Sequence, residues 1–309
     1  MANKPMVWMD GKMVEQDKAY VPLMSHALHY GSGVFEGIRL YDTKKGRAIF
    51  RLQDHIVRLF NSSKILDMKI PYTIEEICEA TREVVRQTKT DIDYIRPIAY
   101  YGLGEPGKIV LNPAKFKVNV AVATAKMGSY MGKEQLEKGA RIMTSSWEKP
   151  SNKSTSLQAK ICGNYVNSVI AKIESNQHGA DEALMLNSNG TVAEGPGENM
   201  FIVRGGKLIT PPISAGVLEG ITKDSILVIA KDLKIEVIER DITRGEIFNA
   251  DEFFMTGTAA EVTPCSFLDG RMIGDGKAGP ITKKLQAAFF KAARGQDKKY
   301  DKWLDYVDI

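Results

Sequence analysis

Leu157-Gln158-Ala159-Lys160-Ile161-Cys162-Gly163-Asn164-Tyr165 is followed, thirty-four residues beyond its lysine, by Glu194-Gly195-Pro196-Gly197-Glu198-Asn199. Lys160 has small and apolar neighbours and lies just ahead of an amphipathic helix expected over 163–177. Desolvation at such a place lowers the pKa of an amine and makes its neutral form available for Schiff-base chemistry. The glycine-rich segment then supplies a carboxylate, Glu194, on a tight turn. Most lysines are solvated surface charges, so either half alone carries little. Together they suggest a lysine that holds an aldehyde cofactor.

The 309 residues, 43% of them hydrophobic, can bury a substantial core and make two domains the default. Charged residues make up 26% of the chain and the formal net charge is +4, with Lys and Arg interspersed among Asp and Glu. That pattern does not favour nucleic-acid binding. No stretch approaches the ~20 consecutive apolar residues of a membrane span. Met1-Ala2-Asn3-Lys4-Pro5 has no apolar core of a signal peptide, so a cytoplasmic location is expected. Cys78, Cys162 and Cys265 are too few and too scattered for a disulfide framework or a zinc site. Cys162, although close to Lys160, reads as a small buried hydrophobe.

Residues 1–125 read as a small α+β domain. Asp10-Gly11 is a two-residue turn signal between Val7-Trp8-Met9 and Lys12-Met13-Val14. A strand at Ala48-Ile49-Phe50 leads into a helix from Leu52 to Leu66, and Thr73 with Glu76 forms a capping box for a second helix ending near Gln87. Strands are expected at Tyr94–Tyr101 and Lys117–Ala125. Residues 126–134, glycine-containing and poor in core residues, read as a linker. Over 135–309, strands are expected near 141–145, 182–187, 191–194, 200–204, 207–210, 235–239, 252–256, 261–267 and 271–274. Helices are expected near 163–177, 222–233, 243–249 and 280–294. Asn189-Gly190, Gly205-Gly206 and Asp269-Gly270 mark turns. Many hairpin turns among few helices favour a β-barrel-like domain over a doubly wound parallel sheet. The tail beyond Arg294 is polar, with Trp303, Leu304 and Tyr306 available to dock it.

If the aldehyde is pyridoxal phosphate, the site needs a Schiff-base lysine, a carboxylate for the ring nitrogen and an anion cradle. Gly220-Ile221-Thr222 precedes an amphipathic helix, where backbone N–H groups, the Thr222 hydroxyl and the helix dipole can bind phosphate. Thr222 as a simple N-cap is the alternative. The small-residue turn Gly257-Thr258-Ala259-Ala260 offers further amides. Arg58 is a candidate clamp, with a solvated arginine as its bland reading.

These residues resemble the branched-chain amino acid aminotransferases, of the class IV pyridoxal-phosphate family that includes D-amino acid aminotransferase and aminodeoxychorismate lyase. The resemblance covers nearly the whole chain. It runs through Ser25-His26-Ala27-Leu28-His29-Tyr30-Gly31, Val34-Phe35-Glu36-Gly37-Ile38-Arg39, Tyr94-Ile95-Arg96-Pro97, the Lys160 segment, Glu194–Asn199 and Gly257-Thr258-Ala259-Ala260-Glu261. It implies a two-domain α+β fold of type IV, with a small α+β N-terminal domain and a larger β-barrel-like C-terminal domain with surrounding helices, and the cofactor at the domain interface. Lys160 would carry pyridoxal 5'-phosphate and, once released by substrate, move the proton at the substrate α-carbon. Glu194 would pair with the ring nitrogen, Tyr165 would donate to the phenolic oxygen, and Arg58, Ile221, Thr222 and Thr258 would hold the phosphate. The substrate carboxylate would lie near Thr258-Ala259-Ala260 and Tyr94, with Arg96 meeting the glutamate side chain and Arg39 also among the binding residues. Phe35, Tyr30 and Tyr165 would form the apolar wall, with Tyr130 reaching in from a neighbouring subunit of a homodimer or higher homo-oligomer. On the residues alone, those aromatics read as core packing.

The implied reaction is ping-pong transfer of an amino group from L-leucine, L-isoleucine or L-valine to 2-oxoglutarate. Lys126-Met127 stands where bacterial relatives commonly have proline and tryptophan, putting a flexible thioether in place of a rigid aromatic. Thr256, where serine is common, is a conservative change. Within the class, a D-amino acid aminotransferase is disfavoured by Phe35–Arg39 and Tyr94–Pro97, and a lyase would release pyruvate instead. Outside it, the rival is a noncatalytic anion-binding α+β protein.

Overall fold

A computed structural model describes residues 4–108 and 110–307, so Met1-Ala2-Asn3, on which the leader reading partly rests, lie outside the described residues. The chain forms two compact units: residues 1–128, 159–164 and 292–309 in one, and 129–158 with 165–291 in the other. The contiguous division expected from the sequence therefore needs correction, because the lysine segment and the C-terminal tail both belong to the first unit.

The first unit opens with the hairpin β1 (Met6–Met9) and β2 (Lys12–Glu15). Asp10 and Gly11 both take positive φ, 48° and 86°, as a type I′ turn demands. Then come α1 (His26–Tyr30), β3 (Gly33–Phe35), β4 (Ile38–Thr43), β5 (Gly46–Phe50), α2 (Leu52–Ile65), α3 (Ile74–Gln87), β6 (Tyr94–Tyr101) and β7 (Val118–Ala125). The α3 capping box is formed: Glu76 N donates to Thr73 Oγ1 at 3.2 Å and Thr73 N to Glu76 Oε2 at 2.7 Å. Leu52, His55, Ile56, Leu59, Ser62 and Ser63 are the buried face of α2, spaced as one side of a helix. The strands make one antiparallel sheet in the order β5-β4-β6-β7-β1-β2. β3 also pairs with β6, and the C-terminal strand Leu304–Tyr306 lies beside β5. That pairing docks the polar tail through buried Trp303 and Leu304.

Residues 159–164 are held in this unit by backbone. Phe35 N donates to Lys160 O at 3.1 Å, Val34 bridges Ile161, and Gly163 N donates to Gly31 O at 3.0 Å. Ala159 and Ile161 share a core with Val34, Ile38, Ile56 and Leu59.

The second unit contains α4 (Lys133–Lys138), β8 (Ala140–Thr144), α5 (Tyr165–Gln177), β9 (Glu182–Leu184), β10 (Asn199–Arg204), β11 (Lys207–Thr210), α6 (Ile221–Asp232), β12 (Val237–Glu239), α7 (Arg244–Phe248), β13 (Glu252–Gly257), β14 (Glu261–Leu268), β15 (Arg271–Met272) and α8 (Pro280–Ala293), whose last two residues fall in the first unit. Its sheet runs β12-β11-β10-β13-β14-β8-β9, with β15 added on β14. The β11–β12, β14–β8 and β8–β9 pairs are parallel and the others antiparallel. The strand expected at 191–194 is reduced to isolated bridges. Val192 N turns away to Ile242 O (2.7 Å), and Thr191 bridges Thr243. α6 begins one residue earlier than expected, with Gly220 rather than Thr222 at the N-cap. Among the described residues, no helix is long and apolar enough to cross a membrane.

Gly31 tests the docking of the lysine segment. Its φ is +65°, and a Cβ there would lie 2.7 Å from Gly163 Cα. Gly31→Ala is expected to cost about 2 kcal/mol or more, from left-handed backbone and overpacking combined. Urea unfolding measures this, and an unchanged midpoint would show the crossing to be slack.

Candidate active site

In the first unit, Phe35, Tyr94, Arg96, Arg58 and Lys160 come together. Gly37 lies against Tyr94 so closely that any Cβ would collide with the phenol oxygen, so glycine is required for that hydroxyl to occupy its place. The Lys160 ammonium lies 4.8 Å from the centre of the Phe35 ring, and the Arg96 guanidinium lies at 4.8 Å from the same ring. Arg96 also donates to Tyr94 Oη at 3.2 Å. Ser62 Oγ accepts from Lys160 N at 2.9 Å, fixing the lysine backbone against α2.

Lys160 is partly exposed as a whole residue, but its amine end is withdrawn from water. Desolvation is the largest influence on it; the nearby Glu36 carboxylate opposes that influence and Arg58 adds to it, leaving a pKa of about 8. Roughly a tenth of such an amine is neutral at pH 7, against a few ten-thousandths for an ordinary lysine.

Arg58 is not the solvated side chain of the bland reading. Its Nε and Nη2 donate to Glu36 Oε1 and Oε2 at 2.6 and 2.9 Å. His55 Nδ1 lies 2.8 Å from Glu36 Oε2, and Gly37 N donates to the same oxygen at 3.2 Å. Burial would raise the Glu36 pKa, but the charge of Arg58 and the hydrogen bonds from Arg58 and His55 hold it well below the usual carboxylate range. Burial also pushes His55 below an ordinary histidine, against the pull of Glu36. The imidazole is therefore neutral near pH 7 and donates from Nδ1 to a carboxylate that can only accept.

In the second unit, three segments converge. Glu194 Oε1 pairs with Lys149 Nζ at 2.8 Å, and both side chains are 9% exposed. Glu194 Oε2 accepts from Asn199 Nδ2 at 3.1 Å and from Leu218 N at 3.0 Å. Asn199 Nδ2 also donates to Leu218 O at 3.0 Å, and its Oδ1 fills the space where a Cβ on Gly220 would go. That links the glutamate turn to the start of α6, where Ile221 and Thr222 are buried. Asn199 sits opposite Thr256 in the β10–β13 register. A Cβ on Gly257 would lie 2.9 Å from Gly197 O, so the turn carrying Thr258, Ala259 and Ala260 packs on the glutamate turn. Glu261 closes it with φ at 57°. At Glu198, burial foremost, then the Glu182 charge, pushes the carboxyl up to about 8, so it carries a proton at neutral pH.

The remaining candidates are more scattered. Arg39 is buried with Asp93 Oδ2 3.5 Å from its Nη1. Tyr30 ends α1 half-exposed, its ring 4.6 Å from that of His26. Tyr165 opens α5. Tyr130, expected to serve a neighbouring subunit, is half-exposed with its hydroxyl 3.4 Å from Glu182. The amides of Met127 and Gly128 donate to Asp93 at 2.6 and 2.9 Å.

Sequence reasoning missed Lys149, Asn199 as a linking residue, and the roles of Glu36 and His55. The last two left a signal. Glu36 is an acid inside an apolar run, and His55 lies one helical turn before Arg58 on the same apolar face. Lys149 stands in a polar loop with no such mark.

A family model, Amino-transferase class IV, matches residues 33–267. The chain belongs to that family, has its fold, and is an aminotransferase. Among its relatives is the branched-chain-amino-acid aminotransferase of Pseudomonas aeruginosa, 46% identical over 97% of each chain. A crystal structure of the Escherichia coli branched-chain amino acid aminotransferase is similar with a TM-score of 0.95, at 42% identity over 99% of this chain and 100% of that one. The branched-chain amino acid aminotransferase of Thermobaculum terrenum, solved in its PLP-form, has a TM-score of 0.91 at 35% identity over 100% of both chains.

The lowered pKa of Lys160 has a direct readout. Apoprotein treated with a small aldehyde and cyanoborohydride should label Lys160 with a pH midpoint near 8, as burial sets it, while exposed lysines respond only toward pH 10. Peptide mass spectrometry against pH measures both, and a Lys160 midpoint near 10 would mean that its amine is solvated.

Proposed function

We propose that this chain transfers the amino group of L-leucine, L-isoleucine or L-valine to 2-oxoglutarate, giving the branched-chain 2-oxo acid and L-glutamate, with pyridoxal 5'-phosphate as the resident cofactor. The observation that carries the proposal is the desolvated Lys160 amine, with a pKa of about 8, in a chain whose relatives are branched-chain aminotransferases. The residues fit such a cofactor. An ionised carboxylate accepts about four hydrogen bonds; Glu194 takes donors from Lys149, Asn199 and Leu218 and keeps one direction for a ring N–H. The start of α6, capped by Gly220 without a side chain, suits an anion.

When bound, pyridoxal phosphate supplies an aldehyde for the substrate amine and an electron-withdrawing ring for the charge that develops at the α-carbon. Lys160 would anchor that aldehyde and, once the substrate amine takes its place there, would as a neutral amine take and return the α-proton. Glu194 would hold the ring nitrogen's proton, and Tyr165 would donate to the phenolic oxygen. Arg58, Ile221, Thr222 and Thr258 hold the phosphate, with the Arg58 fork oriented by Glu36. Tyr94 and the Thr258-Ala259-Ala260 turn would receive the α-carboxylate, and Arg96 would serve the second carboxylate of glutamate, with Arg39 also among the substrate-binding residues. Phe35 and Tyr30 pack the branched side chain, and packing differences of ~1–3 kcal/mol leave the specificity broad. The assembly proposed is a homodimer or a higher homo-oligomer.

Absorption spectra of the holoenzyme test this. L-isoleucine should convert the yellow form to the pyridoxamine form, and 2-oxoglutarate should restore it. A yellow form unmoved by L-isoleucine but bleached by D-alanine would refute the donor class, and Lys160→Ala should lose turnover by several orders of magnitude.

A further inference from the structure

Glu194 is held at both ends by groups from different parts of the second unit. Lys149 lies on the loop after β8, its own N–H donating to Leu186 O at 2.9 Å, and its ammonium sits 2.8 Å from Glu194 Oε1 with both side chains 9% exposed. A pair this dry is not a surface ion pair: stripping one partner leaves the other charge buried and uncompensated. Asn199 and Leu218 occupy only the other oxygen, Oε2, and carry no charge. Lys149 is therefore the one cation that pairs with this carboxylate among the described residues. We propose that Lys149 sets the charge which Glu194 presents to the cofactor ring, acting through the carboxylate as a positioning and tuning residue. The proposal rests on the function proposed above, in which Glu194 faces the ring nitrogen.

Two consequences follow from the electrostatics. Without cofactor, Lys149 neutralises Glu194, so the site does not lose its carboxylate geometry while empty. With cofactor, the Glu194 charge is shared between Lys149 and the ring, so the hold of Glu194 on the ring proton is weaker than that of an isolated carboxylate. Removing a nearby positive charge favours every protonated form in the site. Lys149→Met should then move the pH midpoint of the bound-cofactor absorbance change upward by about half a unit or more, while Lys149→Arg keeps the wild-type midpoint.

The experiment is a double-variant cycle on the holoenzyme: wild type, Lys149→Met, Lys149→Arg, Glu194→Gln and Glu194→Gln with Lys149→Met. Each is titrated spectroscopically, and the dissociation constant of pyridoxal phosphate from each apoprotein is measured. The expected result is a midpoint shift from Lys149→Met that vanishes in the Glu194→Gln background, with cofactor affinities that are non-additive by about fivefold or more. A purely structural lysine would change unfolding but not the midpoint. An unchanged midpoint in Lys149→Met, or an equal shift in both backgrounds, would overturn the proposal while leaving turnover of L-isoleucine by the wild type intact. Failure of the wild type to bind pyridoxal phosphate would overturn the functional reading and this inference with it.

Discussion

The backbone crossing between β3 and residues 159–164 constrains everything that the first unit contributes to the chemistry. Two peptide hydrogen bonds, Phe35 N to Lys160 O and Gly163 N to Gly31 O, carry a lysine more than one hundred residues away in sequence onto the strand that bears Phe35. Gly31 permits the approach because it has no Cβ and takes a left-handed φ. Once Phe35 and Lys160 share that crossing, the amine has an aromatic face beside it instead of water, and its lowered pKa is a consequence of position. The activation of the lysine is thus a property of the fold around it.

Two buried carboxylates are, by contrast, supplied with partners. Glu36 is as buried as any residue in the chain, yet a bidentate arginine, a neutral histidine and a backbone amide satisfy it. Breaking a pair of this kind typically costs about 3–5 kcal/mol, so the network also secures the Arg58 side chain in one orientation. Glu194 is handled the same way in the second unit by Lys149, Asn199 and Leu218. Lys160 differs: Glu36 attracts its charge, Arg58 and Arg96 repel it, and the balance leaves desolvation dominant.

Much of this was legible in the sequence wherever a local rule decides the outcome. The Asp10-Gly11 hairpin, the Thr73/Glu76 capping box, the α2 apolar face and the eight-residue alternation of β7 each follow from turn, cap or period chemistry. The contiguous domain division did not survive, because membership of 159–164 and of the tail depends on pairing with β3 and β5, and such long-range register leaves no local mark. The strand expected at 191–194 failed for a related reason: its pairing with 185–187 is broken where Val192 N turns to Ile242 O in the segment before α7. At the site, the residues on glycine-rich turns were readable because close backbone approach excludes side chains there. Lys149 was not, since a lysine in a polar loop looks the same whether it is solvated or paired with a buried acid.

Lys160, whose amine burial brings to a pKa of about 8, is the lysine proposed to hold the cofactor. The most direct measurement is to reduce the pyridoxal-phosphate-loaded protein with borohydride, digest it, and locate the modified lysine by peptide mass. The label is expected on the peptide containing Ala159-Lys160-Ile161. A label carried at full occupancy by any other lysine would contradict this assignment.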